Sequence, residues 1–332
     1  MKISKRITAT FAAAAVATAG SIGFYNAFSD DLTQAAAGNF QKSQKMFTDT
    51  AANEIERYFY DAQKRMETIA EMSEARNAVR SETCNQNLQN LLEINNREFS
   101  NLGRISKDGI FICAVNRAVV GEPAAKYGTY FATVAKDPEH KPATSRLIYP
   151  TGAGAPVVAV HVPVYDQQGA FNGTIGGAVY FNELQERILP DSRLSANSIM
   201  ALYDDNLDIL YHPDPLIRGK NLLAPNTLKL YSPRSVITAF ANDVKSPPAE
   251  GTVHYDLRDE ARQTVYKSVR VVDRYWTIGI AVPQKDVEAS AGRQTVHTLF
   301  LIVLALLVVT VTSATFLLAK RKPIPTKHTS AT

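Results

Sequence analysis

The chain has 332 residues, 45% of them hydrophobic and 20% charged, which is material for two folded domains and excludes a disordered chain. A formal net charge of +4 is too small to predict a nucleic-acid partner, and two cysteines are too few for a disulfide-rich scaffold.

Lys2, Lys5 and Arg6 precede an apolar or small-residue run over 7–28. A run of about 20 such residues can span a bilayer, and because this one is rich in Ala a cleavable signal peptide is the alternative. A second run over 298–319 carries no charge, and Lys320, Arg321 and Lys322 follow it at once. Basic residues on both outer ends predict two spans in the lipid bilayer, with both termini cytoplasmic and the middle of the chain outside. The expected order is a cytoplasmic stub and first span (1–28), a long stalk helix (29–81), two α+β modules (82–190 and 191–294), a second span (295–319) and a short cytoplasmic tail (320–332). With so short a tail, output is expected through a separate signalling protein in the membrane.

In the stalk, Leu32, Ala36, Phe40, Phe47, Ala51, Ile55, Tyr58, Ala62, Met66, Ile69 and Met72 recur at three- or four-residue steps, with charged residues between them and no Pro. That is the pattern of an amphipathic helix. Its apolar stripe has two candidate partners: the chain's own sheets, or the same helix of a second subunit in a homodimer. Cys84 and Cys113 both fall in the external segment. An oxidising compartment permits a disulfide between them; buried free thiols are the alternative.

Residues 157–164 and 173–181 are rich in β-branched and aromatic side chains and flank a turn containing Asp166 and Gly169, which predicts a β-hairpin. Alternation gives one full apolar face, with Val158, Val160, Val162, Ile175 and Val179. The other face is small, with Ala159, Thr174, Gly176 and Ala178 beside His161 and Tyr180. Such a sheet packs on a helix behind and cups a small molecule in front, or is simply covered by a loop. The stretch 121–150, read as a helix or loop layer over the sheet, brings Tyr127, Tyr130 and Arg146. Aromatics beside a cation suit a small polar metabolite such as a carboxylate. The candidate ligand contacts are therefore Tyr130, Arg146, His161, Tyr180 and Tyr127.

The pattern repeats. Thr174-Ile175-Gly176-Gly177-Ala178-Val179 is echoed by Thr277-Ile278-Gly279-Ile280-Ala281-Val282, and a strand-turn-strand pattern precedes each, at 104–112 and 199–210. Two modules of about 100 residues each suggest duplication. The six His are scattered, with no H-E-x-x-H, no C-x-x-C, no G-x-S-x-G and no Walker loop, so no metal, no cofactor and no enzymatic activity are expected.

The order of span, long helix, two modules and span resembles the double Cache sensor domains of bacterial chemoreceptors, sensor kinases and diguanylate cyclases. The likeness covers residues 29–294. It is carried by Val162-Pro163-Val164-Tyr165-Asp166 with Gly169 and Gly173, by Tyr130-Phe131, by Tyr203-Asp204 with Tyr211-His212-Pro213 and Gly219-Lys220-Asn221-Leu222, and by Trp276-Thr277-Ile278-Gly279 with Val282-Pro283. The resemblance implies an α+β fold with a PAS-like antiparallel sheet in each module, and a small-molecule site in the first, membrane-distal module. It also implies a place in the bacterial inner membrane with the central domain periplasmic. Two positions depart from the family's amino-acid binders, which carry Asp where this chain has Ala178 and often Arg where it has Gly128. A carboxylate, another small metabolite or no ligand are all open. A structural or assembly protein with a ligand-free Cache domain, or a truncated receptor, is the alternative.

Overall fold

The computed structural model describes residues 2–94, 99–148, 156–181, 184, 186, 194–195 and 197–319, without the side chains of 2–34, 36, 291, 293–297, 299–300 and 311–319. The chain divides into two compact units, Ser43–Gln284 and a second made of Met1–Lys42 with Lys285–Thr332.

The larger unit is built on the C-terminal half of helix α1 (Lys2–Glu71), which runs unbroken because no Pro interrupts it. The stalk expected to reach residue 81 stops ten residues earlier. Met72 turns extended (φ −68°, ψ 148°), and the short helix α2 (Ser73–Arg76) and helix α3 (Glu82–Ile94) follow. The break is tertiary in origin. It presents the Ala75 carbonyl to Arg104 Nε at 2.9 Å and lets Arg76 Nε donate to the Tyr165 carbonyl at 3.3 Å.

The first module contains β1 (Asn101–Ile105), β2 (Phe111–Ala114), helix α4 (Tyr130–Lys136), β3 (Ala143–Thr144), β4 (Val157–Tyr165) and β5 (Phe171–Tyr180). They form a five-stranded sheet in the order β2-β1-β5-β4-β3, antiparallel at every pairing. The expected hairpin is β4–β5, with Val158 opposite Val179 and Val160 opposite Gly177. Its apolar face is buried against α1. A side chain at Gly177 would collide with Met66 and Phe99, so glycine lets the helix approach the sheet. Arg104, fully buried on β1, donates to the carbonyls of Ala75 (2.9 Å), Asn172 (2.8 Å), Thr174 (3.3 Å) and Ile105. One guanidinium thus ties α2, β1 and β5 without any carboxylate, and burial pulls its pKa down to about 10. Cys84 of α3 and Cys113 of β2 are joined as a disulfide, with Cα atoms 5.9 Å apart.

The second module contains β6 (Ile199–Tyr203), β7 (Ile209–Tyr211), helix α5 (Pro225–Leu228), β8 (Tyr231–Ser232), helix α6 (Arg234–Val244), β9 (Glu250–Leu257), β10 (Glu260–Val271) and β11 (Arg274–Pro283). Its sheet order, β7-β6-β11-β10-β9-β8, repeats the first with one strand added. β6 and β7 lie within the strand-turn-strand stretch 199–210 or at its end, and β11 holds the Thr277–Val282 echo; α5, β8 and α6 carry no such periodic signal. Ile237, Phe240, Ala241 and Val244 of α6 bury an amphipathic face on Tyr203 and Tyr266. Behind this sheet, Gln44 of α1 is fully buried and its Nε2 donates to the carbonyls of Gln263 (3.1 Å) and Ile280 (2.6 Å). Phe59 meets Trp276 edge-on at 5.1 Å. One helix therefore backs both sheets, which makes the chain's own sheets the partner of its stripe over Ala51–Ile69.

The smaller unit holds the N-terminal part of α1 and most of helix α7 (Gln284–Ala319). Among the described residues no helix is long and apolar enough to cross a membrane. The side chains of the first expected span lie outside the described residues, as do those of 311–319 in the second and the whole tail 320–332. Within the described part of the second run, Leu301, Leu304, Leu307, Val308 and Val309 are exposed.

Candidate functional site

The small-residue face of the first sheet forms the floor of a cavity of about 80 Å³. Gly176 and Ala178 of β5, Ala159 and His161 of β4, and Asn101 and Gly103 of β1 supply the floor; Tyr127, Tyr130, Phe111 and Ile148 close over it. The register explains the floor. Gly176 stands opposite His161 on one side and Gly103 on the other, so three neighbouring strands offer almost no side chain above the sheet except the imidazole. A Cβ at Gly176 would run into that ring. His161 thus lies over Gly176, with Tyr130 stacked on it at 3.9 Å between centroids and 16° between planes.

Both stacked groups are held neutral. Burial drives the His161 pKa down to about 3, and burial together with the nearby Tyr127 raises that of the Tyr130 hydroxyl. His161 is 3% exposed and its Nδ1 has no hydrogen-bonding partner among the described residues. The oxygens of the two amide side chains on the wall are engaged, Asn101 Oδ1 accepting from the Asn116 N–H at 2.8 Å and Asn116 Oδ1 from the Ala118 N–H at 3.2 Å.

Of the five expected contacts, Tyr127, Tyr130 and His161 come together here. Tyr180 lies on the same face one step beyond Ala178, opposite Val157, and is not part of the wall. Arg146 does not line the cavity; its guanidinium lies near Asp204 (3.8 Å), Asp208 (3.9 Å) and Asp205 (4.0 Å) in the β6–β7 turn. Three carboxylates outcompete an uncharged cavity for a cation. Even so, burial and the neighbouring Asp208 and Asp205 keep the Asp204 carboxyl above its ordinary pKa. Asn101, Asn116 and Ile148 were missed. Strand alternation from β1 could have found Asn101, but Asn116 and Ile148 are loop residues that only the tertiary fold delivers.

The segment carrying Arg146 joins the two modules. Thr144 donates from its N–H (2.7 Å) and hydroxyl (2.9 Å) to Asp273 Oδ1 in the β10–β11 turn, and Arg274 Nη2 donates to the Thr144 carbonyl at 3.0 Å. Four residues on, Ile148 pairs with Val157 and lines the cavity. A larger cleft of about 340 Å³ lies between the end of α1 and β4, where Lys141 pairs with Glu139 at 2.7 Å. Among the described residues no cluster of three or more His, Cys, Asp or Glu could hold a metal ion.

The family profile of the Cache domain (dCache_1) matches residues 28–291. The chain belongs to the double Cache family. This double Cache chain is also similar in fold to solved sensory domains. One is an extracellular ligand-binding receptor of Desulfohalobium retbaense, at 18% identity and TM-score 0.55, covering 72% of this chain and only 40% of that one. Another is the periplasmic sensory domain of the Campylobacter jejuni chemoreceptor Tlp1, at 15% identity and TM-score 0.55, covering 76% and 98%. A third is the ligand-binding domain of the Pseudomonas aeruginosa amino-acid chemoreceptor PctB with L-Arg, at 16% identity and TM-score 0.53, covering 73% and 94%. No curated protein sequence matches it. The two positions of this double Cache fold at which the resemblance implies charged ligand contacts are Ala178, on the cavity floor, and Gly128, whose φ of 142° suits glycine.

Proposed function

We propose that this double Cache protein is a membrane-anchored sensor, extracytoplasmic in a bacterial cell, that binds a small molecule in its first module and passes the change to a signalling partner. The observation that carries the reading is the cavity over Gly176, walled by Tyr127, Tyr130 and His161. It is a concave, mostly apolar site with a few convergent polar groups, on a fold shared with chemoreceptor ligand-binding domains. The role is binding rather than catalysis.

The strap from Thr144 to Ile148 supports a route for the signal. A ligand that moves Ile148 or Tyr130 pulls on a segment whose other end is bonded to the β10–β11 turn. Strand β11 runs directly into α7, so a shift of that turn reaches the helix without an intervening loop. The proposed anchorage is two spans with both termini cytoplasmic. The basic residues outside each apolar run support it, as do the exposed Leu301, Leu304 and Leu307, which water would disfavour.

Fusions to alkaline phosphatase test the topology, because that enzyme is active only outside the cytoplasm. Fusion after Asp191 gives activity and fusion after Thr332 gives none; the reverse pattern overturns the reading.

A further inference from the structure

The duplicated plan of the two modules lets each cavity wall be compared with its counterpart. Strands β4 and β5 occupy the places in the first sheet that β10 and β11 occupy in the second. In the first, His161 stands opposite Gly176; in the second, Tyr266 stands opposite Gly279. One device, a ring laid over a glycine of an adjoining strand, appears in both sheets, His161 over Gly176 of β5 in the first and Tyr266 over Gly251 of β9 in the second. In the second module the device is closed. The Tyr266 hydroxyl donates to Asp243 Oδ2 of α6 at 2.7 Å, and Phe240 packs edge-on against the ring at 4.8 Å. In the first module Tyr130 caps the ring, but among the described residues Nδ1 has no partner, although His161 is only 3% exposed. A buried polar atom left unpaired is costly, and the cost is recovered when a partner arrives.

The cavity wall around His161 restricts that partner. Among the described residues none that lines the cavity is charged, so neither a carboxylate nor an ammonium group would meet a counter-ion. Burying an unpaired charge costs far more than burying an amide or hydroxyl that finds a hydrogen bond. The one cation the sequence offered, Arg146, is committed to the carboxylates of Asp204, Asp205 and Asp208. His161 stays neutral at physiological pH and so presents no charge of its own. The cavity, at about 80 Å³, admits only a small occupant.

We propose that the cavity selects a small uncharged molecule of the amide or alcohol class, which completes the hydrogen bonding of His161 Nδ1, and rejects carboxylates and amino acids of the same size. The inference rests on the sensor reading and specifies the ligand class of that site. Neutral imidazole carries one donor and one acceptor, and an amide can answer either tautomer.

Isosteres that differ only in charge decide the matter. The full chain in lipid nanodiscs is titrated with acetamide and propionamide, and in parallel with acetate, propionate and L-alanine. Binding is followed by calorimetry and by the nitrogen resonances of 15N-labelled histidine. The amides bind saturably and shift the His161 Nδ1 signal, and each carboxylate binds at least ten-fold more weakly than its amide. The His161→Phe variant, which keeps the stack and loses the nitrogen, loses at least ten-fold in amide affinity with its melting transition intact. Should that variant fail to fold, His161→Gln, which keeps an amide in place of the ring, is used for the same comparison. Acetate or propionate binding as tightly as its amide overturns the ligand class and leaves the sensor reading standing. Amide binding unaffected by loss of the imidazole overturns the role of His161. If no amide binds, the proposal fails; L-alanine binding in that case still upholds a sensor, whereas silence from every probe removes the support for both.

Discussion

His161 and His212 are the residues whose state depends most on the fold. Burial lowers the pKa of His161 to about 3 and of His212 to about 4, against an ordinary 6.5; at His212 Asp214 opposes the shift, while Arg262 and Arg258 add to it. His212 Nδ1 accepts from the Asp214 N–H at 3.0 Å, so its neutral form is also fixed by a hydrogen bond. Below about pH 6.5 the unfolded chain takes up protons that the folded one refuses. The contribution of neutral histidines is therefore complete above about pH 7 and is lost as pH falls toward the folded values. Each ring gives a slope of about 1.4 kcal/mol per pH unit between about pH 6 and 4. Urea denaturation across that range shows a steep loss of stability, and His161→Gln removes about half of the slope. A slope unchanged by that substitution contradicts the burial of a neutral ring.

At the scale of elements, Arg104 decides how α2 meets the first sheet. Its donors satisfy the carbonyls of Ala75, Ile105, Asn172 and Thr174. Replacing it with Met keeps the volume and strands the carbonyls in the interior. Arg104→Met therefore costs about 3 kcal/mol or more, read as a lowered urea midpoint. Lys is no remedy, since one ammonium cannot reach carbonyls spread around a planar fork. A loss below about 1 kcal/mol would show that water replaces the guanidinium.

At the scale of the molecule, the Thr144–Asp273 joint is where one module can inform the other. Thr144 is fully buried, and Asp273 Oδ1 serves both its N–H and its hydroxyl. Asp273→Ala leaves those donors unpaired and costs about 1–3 kcal/mol of stability. It also disconnects the strap. Ligand added to the native protein slows amide exchange in both the 144–148 strap and the 272–275 turn, and in Asp273→Ala the protection stops at the strap. Equal protection of the turn in the variant would exclude this joint as the route.

The strands, the helix behind them and the duplication were legible in the sequence because each is a repeating signal: period two along a strand, 3.6 along a helix, and one plan used twice. The place of His161 beside Ala159 followed from the same alternation, whereas Tyr127 and Tyr130 reach the cavity from outside the strands. Arg146 shows where that logic stops. Where Arg146 points depends on the Asp204–Asp208 turn, about 60 residues further along the chain, and a long side chain follows the strongest local field rather than strand parity. The early end of α1 at Glu71 was equally illegible, for the hydrogen bonds that break it come from Arg104 and from the Tyr165 carbonyl. Only the tertiary structure could decide those, and with them the lack of charge among the described residues of the cavity wall, because contacts between distant segments leave no periodic trace in the chain that makes them.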